Sequence, residues 1–109
     1  MAAEKRARRI YSLAPTQLFG VCVTALGQLK ATIDRHDVER GAIVATLGAG
    51  PLAAVSELSL ALLPRDDGQT ELVVTWRARR RAGDRRVLSA FLDSVDALAG
   101  QERTGIIRE

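Results

Sequence analysis

The order of its patterned segments constrains this chain more than any other feature. The pattern predicts a first strand at residues 9–14, a helix at 15–30, four strands at 31–38, 42–48, 55–63 and 70–79, and a closing helix at 87–99. The later strands alternate apolar with polar or mixed residues, which is typical of an antiparallel sheet with one covered face. Both helices must lie on that face, because nothing else in the chain is left to bury it. The predicted fold class is α+β with the order β-α-β-β-β-β-α.

The chain length sets the domain organisation. At 109 residues the chain is long enough for one hydrophobic core and too short for two. We expect a single domain over residues 9–100, preceded by a flexible basic segment at 1–8 and followed by a flexible tail at 101–109, where hydrophobic periodicity ends.

The strands at 55–63 and 70–79 form the clearest hairpin, with Asp-Asp-Gly between them. Their leucine-rich faces must lie on the same side of the sheet, which restricts the register. A five-residue loop from Arg65 to Gln69 then pairs residues on both faces. The expected covered-face pairs are Leu62 with Leu72, Leu60 with Val74 and Leu58 with Trp76; the open-face pairs are Ser59 with Thr75 and Glu57 with Arg77.

Composition predicts an aliphatic core with few large side chains. Hydrophobic residues make up 47% of the chain and charged residues 27%, but aromatic residues only 4%. Trp76 and Phe91 are therefore expected either to fill the core or to line a ligand cavity. The residues expected around such a cavity are Trp76, Leu60, Val74, Phe91 and Val95.

The basic charge is confined to two segments. The net charge is +3, yet residues 1–10 carry +3 and residues 77–86 carry +5, so the remainder is acidic. Clustered guanidinium groups bind phosphates and carboxylates, which predicts a possible anion site at Arg79, Arg80, Arg81, Arg85 and Arg86. The alternative is a solvated or self-neutralised charge run, favoured because the exposed face offers no aromatic residues to stack on bases.

Two residues are candidates for catalytic groups. His36 lies near Asp34 and Asp37, a combination that general base catalysis can use, but its hairpin position favours a solvated histidine. Cys22 lies among apolar helix residues, which favours a buried, inert thiol. We find no residue pattern for a metal or an organic cofactor, so none is predicted.

The sequence predicts a cytoplasmic protein. Its single cysteine excludes an intramolecular disulfide and is compatible with a reducing compartment. No signal region and no stretch of about 20 apolar residues is present. Arg outnumbers Lys fourteen to two, which indicates a GC-rich genome such as that of many bacteria.

The segment order resembles the helix-grip architecture of the START-related, polyketide-cyclase-like and birch-pollen-allergen proteins. Residues 14–19 (Ala-Pro-Thr-Gln-Leu-Phe) look like the start of their first helix, Ile33, Asp37 and residues 41–43 (Gly-Ala-Ile) resemble their first hairpin, and residues 87–99 resemble their closing helix. The resemblance implies a cavity between a curved sheet and the last helix that binds apolar molecules. This chain lacks room for the additional strands and short helix of those proteins, which would make the cavity smaller or absent. The same topology resembles interaction modules of envelope lipoproteins, and half of it resembles the repeat of the TATA-binding protein.

Three functional hypotheses follow. The leading one is a non-enzymatic helix-grip domain that binds an apolar small ligand or a protein partner, including a second copy of itself through exposed strand edges. The second is an anion- or RNA-binding module that uses the arginines of residues 77–86. The third is a small cyclase or hydrolase of the same superfamily.

Overall fold

The computed structural model describes residues 4–48, 55–80 and 86–107. Its elements follow the predicted order of one strand, one helix, four strands and one helix. They are β1 (Glu4–Tyr11), α1 (Pro15–Gln28), β2 (Thr32–Asp37), β3 (Ala42–Leu47), β4 (Val55–Pro64), β5 (Thr70–Arg80) and α2 (Arg86–Ile107), with a 3-10 turn at Asp66–Gly68 between β4 and β5.

The five strands form one antiparallel sheet in the order β1-β5-β4-β3-β2. β1 and β2 are therefore its two edges. Alternate residues of each central strand are buried against both helices, and this helix-covered side is called the inner face below. The other side, the outer face, is covered by neither helix. The predicted α+β architecture is confirmed.

The predicted register of the β4–β5 hairpin is confirmed at every pair. Leu58 is opposite Trp76, Leu60 opposite Val74 and Leu62 opposite Leu72. Ser59 and Thr75, and Glu57 and Arg77, are paired on the outer face. The loop runs from Arg65 to Gln69, and the Arg65 amide donates to the Gln69 carbonyl over 2.8 Å. Asp67 and Gly68 both adopt positive φ, the conformation that Asp-Gly sequences tolerate.

The first strand lies earlier in the chain than predicted. It begins at Glu4 instead of residue 9, and residues 4–8, predicted to be flexible, pair with β5. The prediction was wrong because charges dominate this segment and hide its alternation. Charged side chains suit an edge strand, since they oppose pairing with another sheet.

The helix ends also differ from the sequence prediction. α1 ends at Gln28 because Lys30 takes a positive φ of 60°, and the amides of Lys30 and Ala31 bond back to Gly27 and Leu26. α2 continues through the predicted stop at Gly100 to Ile107. Glycine permits a left-handed ending but does not require one, because a single glycine inside a helix costs only about 1 kcal/mol.

Gly41 joins β2 to β3 with a positive φ. Its φ is +66°, and a Cβ atom there would lie 2.6 Å from the carbonyl oxygen of Leu62. The Gly41 carbonyl in turn accepts the Leu62 amide over 2.7 Å. This close approach fixes the β2–β3 turn against the end of β4.

Candidate functional site

The layer between the inner face and α2 contains the residues predicted to line a ligand site. Leu60, Val74 and Trp76 project from the sheet, and Phe91 and Val95 from α2. All five belong to one buried apolar cluster, and Trp76 and Phe91 are both 0% exposed. They are the two largest fully buried side chains that the structure describes. Their position in one layer agrees with the predicted grouping; whether they bind a ligand remains a proposal.

The two helices approach the sheet differently. Cα atoms of α1 come within 8 Å of β4 and β2, whereas among the described residues α2 comes that close to strands only at isolated points. The buried side of α1 includes two small residues, Cys22 and Ala25, together with Leu18, Val21 and Leu26. Phe91 on α2 and Trp76 on β5 belong to the same buried apolar cluster.

Hydrogen bonds from Tyr11 and to Gln28 connect α2 to the rest of the fold. The Tyr11 hydroxyl at the end of β1 donates to Asp96 Oδ1 over 2.6 Å. The pKa of Tyr11 is raised above its usual range, mainly by burial and to a lesser extent by this hydrogen bond. Ser94 Oγ donates to Gln28 Oε1 at the end of α1 over 2.6 Å. Sequence analysis missed both contacts, because a polar pair separated by more than sixty residues leaves no local signal.

Trp76 carries an unpaired donor in this layer. Its Nε1–H group is buried and has no hydrogen-bond acceptor among the residues that the structure describes. Lys5 and Leu58 flank it on the neighbouring strands, and Ala78 and Ser56 are the next inner-face residues toward one end of the sheet. A buried indole N–H normally finds a partner, so this one requires an explanation.

His36 is exposed to solvent and Cys22 is buried, as the sequence predicted for each of them. His36 is exposed and its ring is 6.5 Å from that of Phe19. Neither nearby carboxylate is recorded as bonded to it: Asp34 accepts from Thr46 Oγ1, and Asp37 from the Arg40 amide. Burial raises the pKa of the Cys22 thiol to about 12, so the thiolate is strongly disfavoured.

An open groove of about 560 Å³ lies at the β2–β3 hairpin, away from the predicted ligand residues. Asp34 and Asp37 both line it and are hydrogen-bonded within the hairpin. Asp37 also lies 3.6 Å from the Arg40 guanidinium, which further neutralises the groove. The remaining lining residues are Arg35, His36, Ala42 and Val44. The geometry is that of a shallow, charge-balanced surface.

The arginine run is only partly described. Arg77 lies beside Glu57 as predicted, at 4.0 Å, but its nearer partner is Glu4 at 2.9 Å. Glu4 was missed because the first strand was predicted to begin later. Of the predicted anion-binding residues, Arg79 and Arg80 end β5, Arg81 and Arg85 lie outside the described residues, and Arg86 begins α2. Binding of an anion there stays a prediction.

Comparison with solved structures establishes the fold. The chain is similar to Ara h 8.0201, with a TM-score of 0.70, 11% identity, and 92% of this chain and 97% of that one covered. It is similar to the Mll3558 protein of Rhizobium loti, with a TM-score of 0.65, 15% identity, and 90% and 97% covered. It is also similar to the Zhui aromatase/cyclase of Streptomyces sp. R1128, with a TM-score of 0.52, 12% identity, and 97% and 96% covered.

These structures are helix-grip folds, and the resemblance predicted from the sequence is confirmed at the level of fold. No family model matches the sequence, and a search of curated proteins gives no match. Among the described residues, neither helix is both long and apolar enough to span a bilayer.

Proposed function

We propose that this chain is a non-enzymatic binding domain that takes an apolar small molecule between the inner face of the sheet and α2. The observation that carries the proposal is the apolar cluster under α2, which contains Trp76 and Phe91, the two largest fully buried side chains that the structure describes. Small-molecule pockets are lined mainly by apolar and aromatic side chains with a few polar groups, and this cluster has that composition. The helix-grip fold shared with an aromatase/cyclase supports a small-molecule site, but it does not support the choice of binding over catalysis.

The arrangement favours binding over catalysis. Within the described residues, the buried hydroxyl side chains are Ser56, Thr70 and Tyr11; the Thr70 hydroxyl donates to the Leu13 carbonyl over 2.7 Å and the Tyr11 hydroxyl to Asp96 over 2.6 Å. A hydrolase or cyclase needs a positioned acid or base beside its substrate. His36 lies on the exposed hairpin instead, outside the Trp76–Phe91 layer.

The test is thermal unfolding in the presence of fatty acids, sterols and aromatic polyketides, with direct titration of any compound that raises the melting temperature. Leu60→Phe enlarges an inner-face side chain and should weaken binding at least tenfold by occupying the ligand's space. Val73→Phe adds the same ring to the outer face of β5 and serves as the matched control. The proposal would be contradicted if no compound raised the melting temperature, or if both variants lost binding affinity to the same extent.

A second candidate function is association with a protein partner through the outer face. Ile10 and Leu63, which flank Glu71 on this face, are 52% and 46% exposed. The strand edges are less suitable, since β1 is strongly charged and β2 carries a register irregularity between Ile33 and Arg35.

Light scattering during gel filtration tests this association at micromolar concentration. Leu63→Lys should dissociate an assembly that uses the outer face. Val38→Lys changes an equally exposed residue at the hairpin tip and should leave it intact. A wild-type monomer with no co-purifying partner would remove this candidate.

A further inference from the structure

The unpaired indole N–H of Trp76 restricts the chemistry of the ligand. We infer that Trp76 Nε1 donates a hydrogen bond to the ligand, so that the domain selects apolar molecules that carry an acceptor oxygen, such as a ketone or quinone carbonyl. The inference rests on the proposed function and adds a recognition residue and a ligand class to it.

Burial makes the unpaired donor significant. The Trp76 side chain is 0% exposed, so its N–H group has lost bulk water. Within the described residues it has gained no acceptor in return. A buried donor left in this state is destabilising, whereas an acceptor delivered by a ligand recovers the lost bond. The fold thus favours a ligand that supplies the missing group over a pure hydrocarbon.

The surroundings of Trp76 fit an apolar molecule with one polar atom. Leu58 lies opposite Trp76 on the neighbouring strand β4, and Phe91 and Val95 belong to the same buried cluster. Ala78 and Ser56 follow on the inner face toward one end, and both are small. Apolar sites generally obtain orientation and specificity from a few such polar groups. The indole N–H would hold the carbonyl end, and the aliphatic residues would contact the rest.

A basic group would not substitute for this donor. Lys5 lies beside Trp76 in the register of β1, but it is exposed on the edge strand and remains hydrated. A hydrated ammonium gives little discrimination between a ketone and a hydrocarbon. The selectivity is therefore assigned to the indole, which is removed from water.

The experiment compares two probes of nearly equal shape. Acetophenone and α-methylstyrene differ in that a carbonyl oxygen replaces a methylene group, and 2-acetylnaphthalene with 2-isopropenylnaphthalene repeats the comparison with one more ring. The ratio of their dissociation constants is measured in the wild type and in Trp76→Phe. The different hydration of the two probes contributes equally to the ratio in the wild type and in Trp76→Phe, so it cancels when the two ratios are compared. We expect the preference for the ketone to be about tenfold greater in the wild type, the net effect of one hydrogen bond.

Phe91→Leu is the matched control, because it reduces another large side chain of the same layer and leaves the indole unchanged. It should weaken all probes and retain the ketone preference. Preference that persists in Trp76→Phe, or is absent from the wild type while both probes bind, would overturn this inference and leave the proposed function standing. Failure of all the probes to bind would overturn both.

A second measurement does not depend on the folding of a variant. Trp76 is the only tryptophan, so its indole N–H gives a single resonance in a nitrogen-15 correlation spectrum. Acetophenone should move this proton downfield and slow its exchange with solvent, and α-methylstyrene should do neither. Equal responses to the two probes would contradict a hydrogen bond from Trp76.

Discussion

The two helices cover the same sheet face by different means, and the difference locates the candidate site. Cα atoms of α1 come within 8 Å of β4 and β2, and its buried side combines the small residues Cys22 and Ala25 with Leu18, Val21 and Leu26. Among the described residues α2 comes that close to strands only at isolated points, and its buried side includes Phe91, one of the two largest fully buried side chains. A close backbone approach leaves no room to exchange protein atoms for ligand atoms. A layer of side chains can rearrange, so the α2 side is where a small molecule can be accommodated.

The strongest test of this comparison removes the largest α2 side chain from the layer. Phe91→Ala should lower the free energy of unfolding by about 3–5 kcal/mol, since it deletes a fully buried ring. That loss would be a large fraction of the total unfolding free energy of a small domain. Urea denaturation measures it, and Ser89→Ala, at an exposed position of the same helix, is the control. A loss below about 1 kcal/mol would mean that Phe91 does not support the sheet.

Overpacking the α1 side should have the next largest effect. Ala25→Leu places three additional carbon atoms where the helix lies near β4, and should cost about 1–3 kcal/mol of unfolding free energy. Thr24→Leu adds bulk at an exposed position one residue earlier and should change stability little. Equal tolerance of both substitutions would show that the buried side of α1 is not closely packed at Ala25.

The buried thiol beneath α1 predicts a loss of stability at alkaline pH. Burial raises the pKa of Cys22 from 9.0 to about 12, so above pH 9 the unfolded chain ionises first and the folded state becomes less favoured. The free energy of unfolding should fall between pH 9 and 12, with a Cys22 contribution of at most about 1.4 kcal/mol per pH unit. Denaturation of Cys22→Ala across this range should show a shallower decline.

Tyr11 adds a separate contribution at higher pH. Its raised pKa means that stability is present below the ordinary value of 10.0 and is lost as pH rises beyond it. Tyr11→Phe should remove this component without affecting the onset near pH 9. An unchanged profile in both variants would mean that neither group controls the alkaline limb.

The smallest predicted effect concerns the glycines of α1. Gly20 and Gly27 are exposed, and a Cβ atom at either position would meet no atom within 4 Å. Gly20→Ala and Gly27→Ala should therefore each stabilise the protein by up to about 1 kcal/mol through helix propensity. Thermal unfolding measures the gain. Gly41→Ala, whose added Cβ atom would clash with Leu62, is the control and should destabilise.

The sequence predicted the fold correctly where the hydrophobic periodicity was strong. Leucine alternation in β4 and the Asp-Asp-Gly turn determined the register with β5, because a shift of one residue would expose the entire leucine face. β1 was misplaced for the opposite reason: at an edge both faces carry charge, and only pairing with β5 identifies residues 4–8 as strand. The predicted ligand residues were identified as candidates from their apolar faces alone.

The sequence by itself determined the element order, the central register, the burial of Cys22 and the placement of Trp76 and Phe91 on apolar faces. These properties depend on local spacing and on the need to bury apolar faces. The tertiary structure alone decided that Glu4 reaches Arg77, that Tyr11 holds Asp96 and that the indole of Trp76 lacks an acceptor within the described residues. A hydrogen bond requires its donor and acceptor to be placed to within a few tenths of an ångström, and no local pattern encodes that placement for residues remote in the chain.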